Sequence, residues 1–402
     1  MGYDARAVRD CYPALQDGWA YLDGAAGTQV PRAVMDAERA AYAAGMGNHG
    51  GFFAASQRSD EHTRAARTAV VDLLGAPAPD GVALGPSMTA LTYRFADGLA
   101  ATWEEGDEIV VTRLDHDANV RPWVQAAARA GVTVRWADPV LPDVELPAEV
   151  VTGLLTERTR LVAVTAASNV VGTRPDVRTI ADAAHEVGAL VYVDGVHATP
   201  HGPVDVAELG ADLYATSAYK WSGPHLAAVA GDPEILGRVR PPKLASSSDD
   251  VPDRFEYGTS PFAQHAGLAA AVDHLAGLAA PDSALPRRDR VLASLDAVAD
   301  HEAALLQRLL VGIAGMDHVT RVGAPARLAP TVWFRVRGLT PDDVARRCAQ
   351  ARVNVWSGHN YAWELAGLLG LRGTGSAVRA SLACYSVEED VDRLLAVLAE
   401  LG

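Results

Sequence analysis

The stretch ALVYVDGVHATPHGPVDVAELGADLYATSAYKWSGP, residues 189–224, carries the pattern on which the fold rests. ALVYVDG (189–195) and DLYATS (212–217) are short runs rich in apolar, β-branched and aromatic residues. Such runs read as strands buried on both faces of a sheet. Outward from them the pattern repeats in GVALG (81–85), DEIVVTR (107–113), VTVRWAD (132–138), RLVAVTAAS (160–168) and LAAVAGD (226–232). Helix candidates at 87–102, 119–130 and 176–187 stand between them. Buried strands joined by helical crossovers predict an α/β fold with a mostly parallel central sheet. Ligands of such sheets gather at the carboxyl ends of the strands, so those ends are where chemistry is sought.

Beyond this core, residues 233–262 are rich in Pro, Ser and charge and read as a long surface excursion. A helix at 264–278, a Pro/Asp/Ser cluster at 281–286 and a long amphipathic helix at 288–314 follow. Shorter strands then alternate with helices: TVWFRVRG (331–338), TPDDVARRCAQA (340–351), VNVWSG (353–358), AVRASLAC (377–384) and a terminal helix at 386–401. Ser386 with Glu389 three residues on is the signature of a capping box. The expected organisation is an N-terminal segment (1–20) packing on the small domain, a large domain (21–280) and a small α+β C-terminal domain (281–402).

A net charge of -15 argues against nucleic acid or an anionic membrane as partner, because a polyanion is repelled. The chain starts without the basic and apolar regions of a signal peptide, and no apolar run is long enough to span a bilayer. Cys11, Cys348 and Cys384 lie far apart, with neither CxxC nor zinc spacing, and read as thiols in a reducing compartment. A cytoplasmic enzyme acting on a small molecule is the expectation.

Several strand ends carry polar residues for which strand propensity gives no reason. Ser87 and Thr89 open a helix after the first run, either as a phosphate cradle or as an ordinary N-cap. His116 stands in Asp115-His116-Asp117-Ala118-Asn119; a capped helix start, a metal site and an imidazole stacked on an aromatic cofactor all compete. Strand neighbours point to opposite faces, which weakens the metal reading. Ser168 and Asn169 close the fourth run. Asp194 and His197 close the fifth, where a carboxylate is costly to desolvate unless paired. His197 and His201 are four apart, but Pro200 opposes the helix a metal pair requires. No metal site is expected. Lys220 follows Ser217-Ala218-Tyr219 at the sixth strand end; alone it would read as a solvated side chain. Hemmed by aromatic and small residues, it is instead a lysine whose amine burial can neutralise for covalent chemistry.

Taken in order, YLDGAAGTQVP (21–31), RLDHDANVRPW (113–123), SNVVGT (168–173), VYVDGVHA (191–198), SAYKWSGP (217–224), EYGTS (256–260) and RASLACYSVEEDVDRL (379–394) resemble the class V aminotransferase and cysteine desulfurase group of pyridoxal-5′-phosphate (PLP) enzymes. The resemblance implies an aspartate aminotransferase-like, fold type I architecture. It makes Lys220 the Schiff-base lysine, puts His116 on the pyridine ring and Asp194 at the ring nitrogen, and sets Asn169 and His197 near the phenolic oxygen. Ser87, Met88 through its backbone, Thr89, Ser217 and Tyr219 fall around the phosphate, with Thr259 reaching it from a partner subunit of a homodimer. Arg379 is the implied grip on the substrate α-carboxylate.

The sequence departs from the desulfurase pattern where a catalytic cysteine belongs. Trp356-Ser357-Gly358-His359-Asn360-Tyr361-Ala362 places Tyr361 at the cysteine position and Trp356 at an arginine position. A phenol with a pKa near ~10 and no sulfur cannot carry a persulfide. Cys384, at an odd offset from Arg379 on a continuous strand, faces away from it, and Cys348 reads as core. The likeness to C–S-cleaving enzymes implies β-elimination from a sulfur-bearing or otherwise β-substituted amino acid. Transamination, epimerisation and a non-catalytic PLP-binding scaffold are the alternatives. Tyr361 joins Lys220 and His116 as a candidate catalytic residue. Substrate selection is expected from Asn48 and His49 in one loop and from the 356–363 loop in another. There Trp356, Tyr361 and Trp363 either narrow the site for an apolar or aromatic substrate or pack the small domain.

Overall fold

The computed structural model describes residues 3–279 and 284–402. Strand β1 (Ala20–Tyr21) is followed by β2 (Val82–Gly85), β3 (Glu108–Thr112), β4 (Thr133–Ala137), β5 (Thr159–Thr165), β6 (Leu190–Asp194), β7 (Leu213–Ser217) and β8 (Ala227–Gly231). Strands β2 to β8 form one sheet in the order β2-β8-β7-β6-β5-β3-β4. Strand β8 runs antiparallel to β2 and β7, and the other neighbours are parallel. Both faces are covered, as the unbroken apolar runs require. Val110, Val162, Val191 and Val193 pack on one side with Ala54–Leu74 and Phe262–Ala276, while Ile109, Val111, Leu161 and Tyr192 pack on the other with Met88–Ala100 and Arg121–Ala130. Each such aliphatic side chain stabilises the fold by roughly 1.5–3 kcal/mol relative to exposure.

The chain leaves β3 for β4 in one direction and returns through β5 to build β6 and β7 in the other. The reversal between β3 and β5 splays their following loops apart and opens a crevice at the carboxyl edge. A second sheet, of β9 (Val319–Arg321), β10 (Thr331–Val336), β12 (Trp356–Gly358) and β13 (Ala377–Ser381), is antiparallel in the order β12-β13-β10-β9. Strand β11 (Val353–Asn354) pairs with β1 and ties the N-terminal region to it. The helix Arg287–Ala314 serves both cores: Val291 and Leu295 pack with the large sheet, Leu305, Leu309 and Ile313 with the small one.

Several expectations shift. The long helices Arg32–Ala44 and Ala54–Leu74 escape the sequence pattern. Ala54–Leu74 buries Ser56, Ser59, Ala66 and Ala69 along much of its length, which mutes its apolar period. The terminal helix spans Glu388–Ala399 rather than starting at Ser386. Asp390, not Glu389, accepts from the Val387 amide (3.1 Å) and also pairs with Arg9 (2.8 Å), while Ser386 accepts from Ala383 (3.0 Å). The surface excursion opens with a helix, Pro233–Arg238, and is pinned by Phe255 stacked on Phe95 at 4.4 Å. Strand β13 stops at Ser381, so strand parity does not place Cys384; burial against the Tyr12 hydroxyl (3.4 Å) does. The start of the 281–286 cluster and the 280/281 boundary lie outside the described residues.

Candidate active site

Lys220 ends a tight turn, Ala218–Lys220, directly after β7. The turn is braced: the Trp221 indole donates to Thr216 (3.0 Å), and the Ser222 amide donates to the Thr28 hydroxyl (2.7 Å). Ser222 holds φ at +70°, a strained value for a residue with a side chain. The Lys220 amine is buried, donates to the Ala25 carbonyl, and is lowered to about 7 by desolvation and then by the Arg379 charge. It is an amine that sheds its proton near neutrality.

Three neighbouring strand ends converge on it. His116, after β3, accepts from the Ala118 amide through Nδ1 (3.0 Å), which leaves the proton on Nε2. Burial and the Lys220 charge lower it to about 3, so it is neutral. Beneath it, Asp115 accepts from Asn119 (2.7 Å) and from Thr112, and burial raises its carboxyl to about 8. Asn169, after β5, donates to the Asn360 carbonyl (2.7 Å), while its Oδ1 has no partner among the described residues. Asp194, the last residue of β6, is buried, accepts from the Val196 amide (2.9 Å), and is raised to about 6 by desolvation. A Cβ on Gly195 would meet the Tyr214 ring at 1.9 Å, so only glycine follows Asp194 there. His197 bonds Thr331 through Nε2 (2.9 Å) and leaves Nδ1 unpartnered among the described residues. His201 turns away to Glu302 (2.8 Å).

One cleft collects Ser87, Met88, Thr89, His116, Asn169, Asp194, His197, Ser217, Tyr219 and Lys220. Ser87 is the N-cap of Met88–Ala100, accepting from Ala90 (3.1 Å), and also lines this cleft, so both sequence readings apply to it. An adjoining cleft shares His116, Asn169, Tyr219 and Lys220 and adds Arg379, Trp356, His359 and Tyr361. Arg379 is buried, gives one hydrogen bond to the Asn169 carbonyl (3.1 Å), and leaves Nε without a partner among the described residues. Desolvation lowers it to about 10. The 356–363 loop is tied across the clefts: Asp117 donates its amide to the Tyr361 carbonyl (2.8 Å), and Arg121 bridges Asp117 (2.9 Å) and Glu364 (2.6 Å).

Other expected residues lie apart. Asn48, His49 and Thr259 share a different groove with Arg67 and Glu256 and do not meet Lys220 within one chain. Cys11 is exposed, Cys348 is buried on the helix Pro341–Gln350, and Cys384 lies against Tyr12; none lines either cleft. Sequence reasoning missed the Ala25 carbonyl, Thr165 in the cleft and Asp23, whose carboxyl, raised to about 6 by burial, feels the Arg379 charge. It also missed a plain signal: of 35 basic Lys and Arg residues only Lys220 and Lys243 are lysines.

The chain matches the Aminotransferase class-V family over residues 20–394. It belongs to the class-V aminotransferase family. A cysteine desulfurase of Dickeya dadantii is 32% identical, with 98% of this chain and 96% of the relative covered. An uncharacterized protein of Mycobacterium tuberculosis is 34% identical over the full length of both chains. The solved cysteine desulfurase CsdA of Escherichia coli superposes with a TM-score of 0.86 at 27% identity, covering 100% of this chain and 99% of its own. As a class-V protein it is a PLP-dependent enzyme with the aspartate aminotransferase-like fold.

The residues present fit that cofactor. Buried polar atoms without partners each cost about 1–3 kcal/mol, and here Asn169 Oδ1, His197 Nδ1 and Arg379 Nε, on residues lining the two adjoining clefts, have none among the described residues. Asp194 adds a carboxylate with one backbone donor, suited to a protonated ring nitrogen, and the start of Met88–Ala100 suits a phosphate. Acylation of Lys220 in the cofactor-free protein is expected to reach half its maximal rate near pH 7, rising with pH. The lowered amine is neutral above that point, whereas an ordinary lysine titrates near ~10.4. Peptide mapping of the acylated protein measures this, and a midpoint near pH 10 would contradict it.

Proposed function

We propose that this class-V enzyme eliminates a β-substituent, with a C–S bond the leading case, from an amino acid, without a persulfide-carrying cysteine. The observation that carries the reading is the wall of the outer cleft: Tyr361 stands beside His116, ring centroids 5.1 Å apart, and none of the three cysteines lines it. A persulfide needs a thiolate to take the sulfur, so the sulfur leaves with whatever it carries. Relatives named cysteine desulfurase support a sulfur-bearing substrate.

When bound, PLP supplies a conjugated ring that takes up the electron pair left on Cα when its proton departs. Asp194 holds the proton of the ring nitrogen, neutral His116 offers a ring face, and Ser87, Met88, Thr89, Ser217 and Tyr219 hold the phosphate. Arg379 grips the α-carboxylate through its unused donors. Lys220 Nζ accepts the Cα proton and then carries it to the departing group. The Cβ–X bond breaks, and water completes pyruvate, ammonia and HX.

The enzyme is proposed to work as a cytoplasmic homodimer, with Thr259 completing the phosphate site of the partner subunit. The groove that holds Asn48, His49 and Thr259, and the exposed Phe52 and Phe53 a few residues after His49, support the dimer. Incubation of the holoenzyme with cysteine, cystine and O- or S-substituted analogues is expected to release pyruvate and ammonia in equal amounts. Keto acid without ammonia, or racemised substrate, would overturn elimination in favour of transamination or epimerisation. Sedimentation of the same preparation at 42.2 kDa would overturn the dimer.

A further inference from the structure

The aromatic residues of the 356–363 loop divide into two kinds. Trp363 packs under the Arg372 guanidinium (4.2 Å) and edge-on to His359 (5.3 Å), and it lines neither cleft at Lys220. Trp356 and Tyr361 line the outer cleft instead, and remain 52% and 66% exposed. Trp356 on β12 stands directly opposite Arg379 on β13. Opposed residues of an antiparallel pair share a face with Cβ atoms about 4.5–5.5 Å apart, so the indole neighbours the carboxylate grip. Tyr361 is held in place: its φ is +61° after Asn360 at +48°, its carbonyl is pinned by the Asp117 amide, and its ring stacks on His116.

Charge points the same way. Among the described residues the cations lining this cleft are Lys220 and Arg379 and no carboxylate lines it, and residues 356–363 carry no acidic residue, lysine or arginine. With Arg379 on the α-carboxylate and Lys220 taken by the cofactor and the Cα proton, a side-chain carboxylate on the substrate finds no further lysine or arginine in this lining. An apolar ring finds two uncovered aromatic side chains beside the residues that handle Cα.

We infer that the substrate is an amino acid whose β-substituent is aromatic or bulky and apolar, received between Trp356 and Tyr361. The inference rests on the elimination reading for the bond that breaks, but the binding wall is separable from it. In the holoenzyme, titration with L-phenylalanine and L-alanine followed by cofactor absorbance is expected to show phenylalanine bound about tenfold tighter or more. Trp356→Ala is expected to bring that ratio toward one, and Trp356→Phe to keep it. Equal affinity for the two amino acids in the unaltered protein, or an unchanged ratio in Trp356→Ala, overturns the inference. Pyruvate release from S-benzyl-L-cysteine and S-methyl-L-cysteine separates the two readings. Phenylalanine preference without pyruvate from either leaves the aromatic wall standing and removes elimination. Pyruvate from both at equal kcat/KM, without phenylalanine preference, leaves elimination standing and removes the aromatic wall.

Discussion

Replacing Lys220 by alanine is expected to lower amino-acid turnover by at least about a thousandfold, the scale of a lost general base at the reacting carbon. The expected cause is specific. Lys220 is a buried amine poised near neutrality, on a turn braced by Trp221 and Ser222 and facing the clefts that contain Asp194 and Arg379. Borohydride treatment of the holoenzyme is expected to leave a pyridoxyl group on Lys220 alone. The chain makes this readable, because the only other lysine, Lys243, sits on the surface excursion against Asp249 (3.2 Å). A pyridoxyl group on Lys243, or wild-type labelling of the Lys220→Ala protein, would show that the lysine is misassigned.

Replacing Arg379 by methionine is the second large effect. Loss of a charge-assisted clamp on the substrate carboxylate removes about 3–4 kcal/mol, which raises KM by roughly 100- to 1,000-fold. Stability is expected to move the other way or not at all. Arg379 is buried with one carbonyl acceptor at 3.1 Å and no ion pair among the described residues, so it is retained at a cost to the fold. Methionine keeps most of its volume. Thermal melting and steady-state kinetics on the same protein decide the matter: a lowered Tm with unchanged KM would make Arg379 a structural residue.

Much of this site was legible in the strand ends. His116, Asn169, Asp194 and Lys220 each close a buried apolar run, and a polar residue there has no reason in local propensity. The residues that were not legible are of another kind. Ala25 acts through its carbonyl, which carries no side-chain signature, and Asp23 acquires its meaning from Arg379, more than 300 positions away. The aromatic trio of the 356–363 loop reads alike in sequence, yet Trp363 packs under Arg372 while Trp356 and Tyr361 face the cleft. The capping of the last helix slipped by one residue: Asp390 accepts from the Val387 amide and also pairs with Arg9, a partner distant in sequence.

The sequence by itself determined a doubly covered α/β sheet, the edge at which chemistry is sought, a lysine hemmed by aromatic and small residues at that edge and the absence of a thiol at the 361 position. Those follow from local periodicity and residue chemistry, which travel with the chain. The tertiary structure decided which loops meet. It set Asn48, His49 and Thr259 in a groove of their own and brought residues 25, 116, 169, 194, 220 and 379 around two adjoining clefts that share His116, Asn169 and Lys220. The physical reason is that burial, desolvation and the reversal between β3 and β5 depend on contacts between distant segments, and these exist only once the sheet has closed.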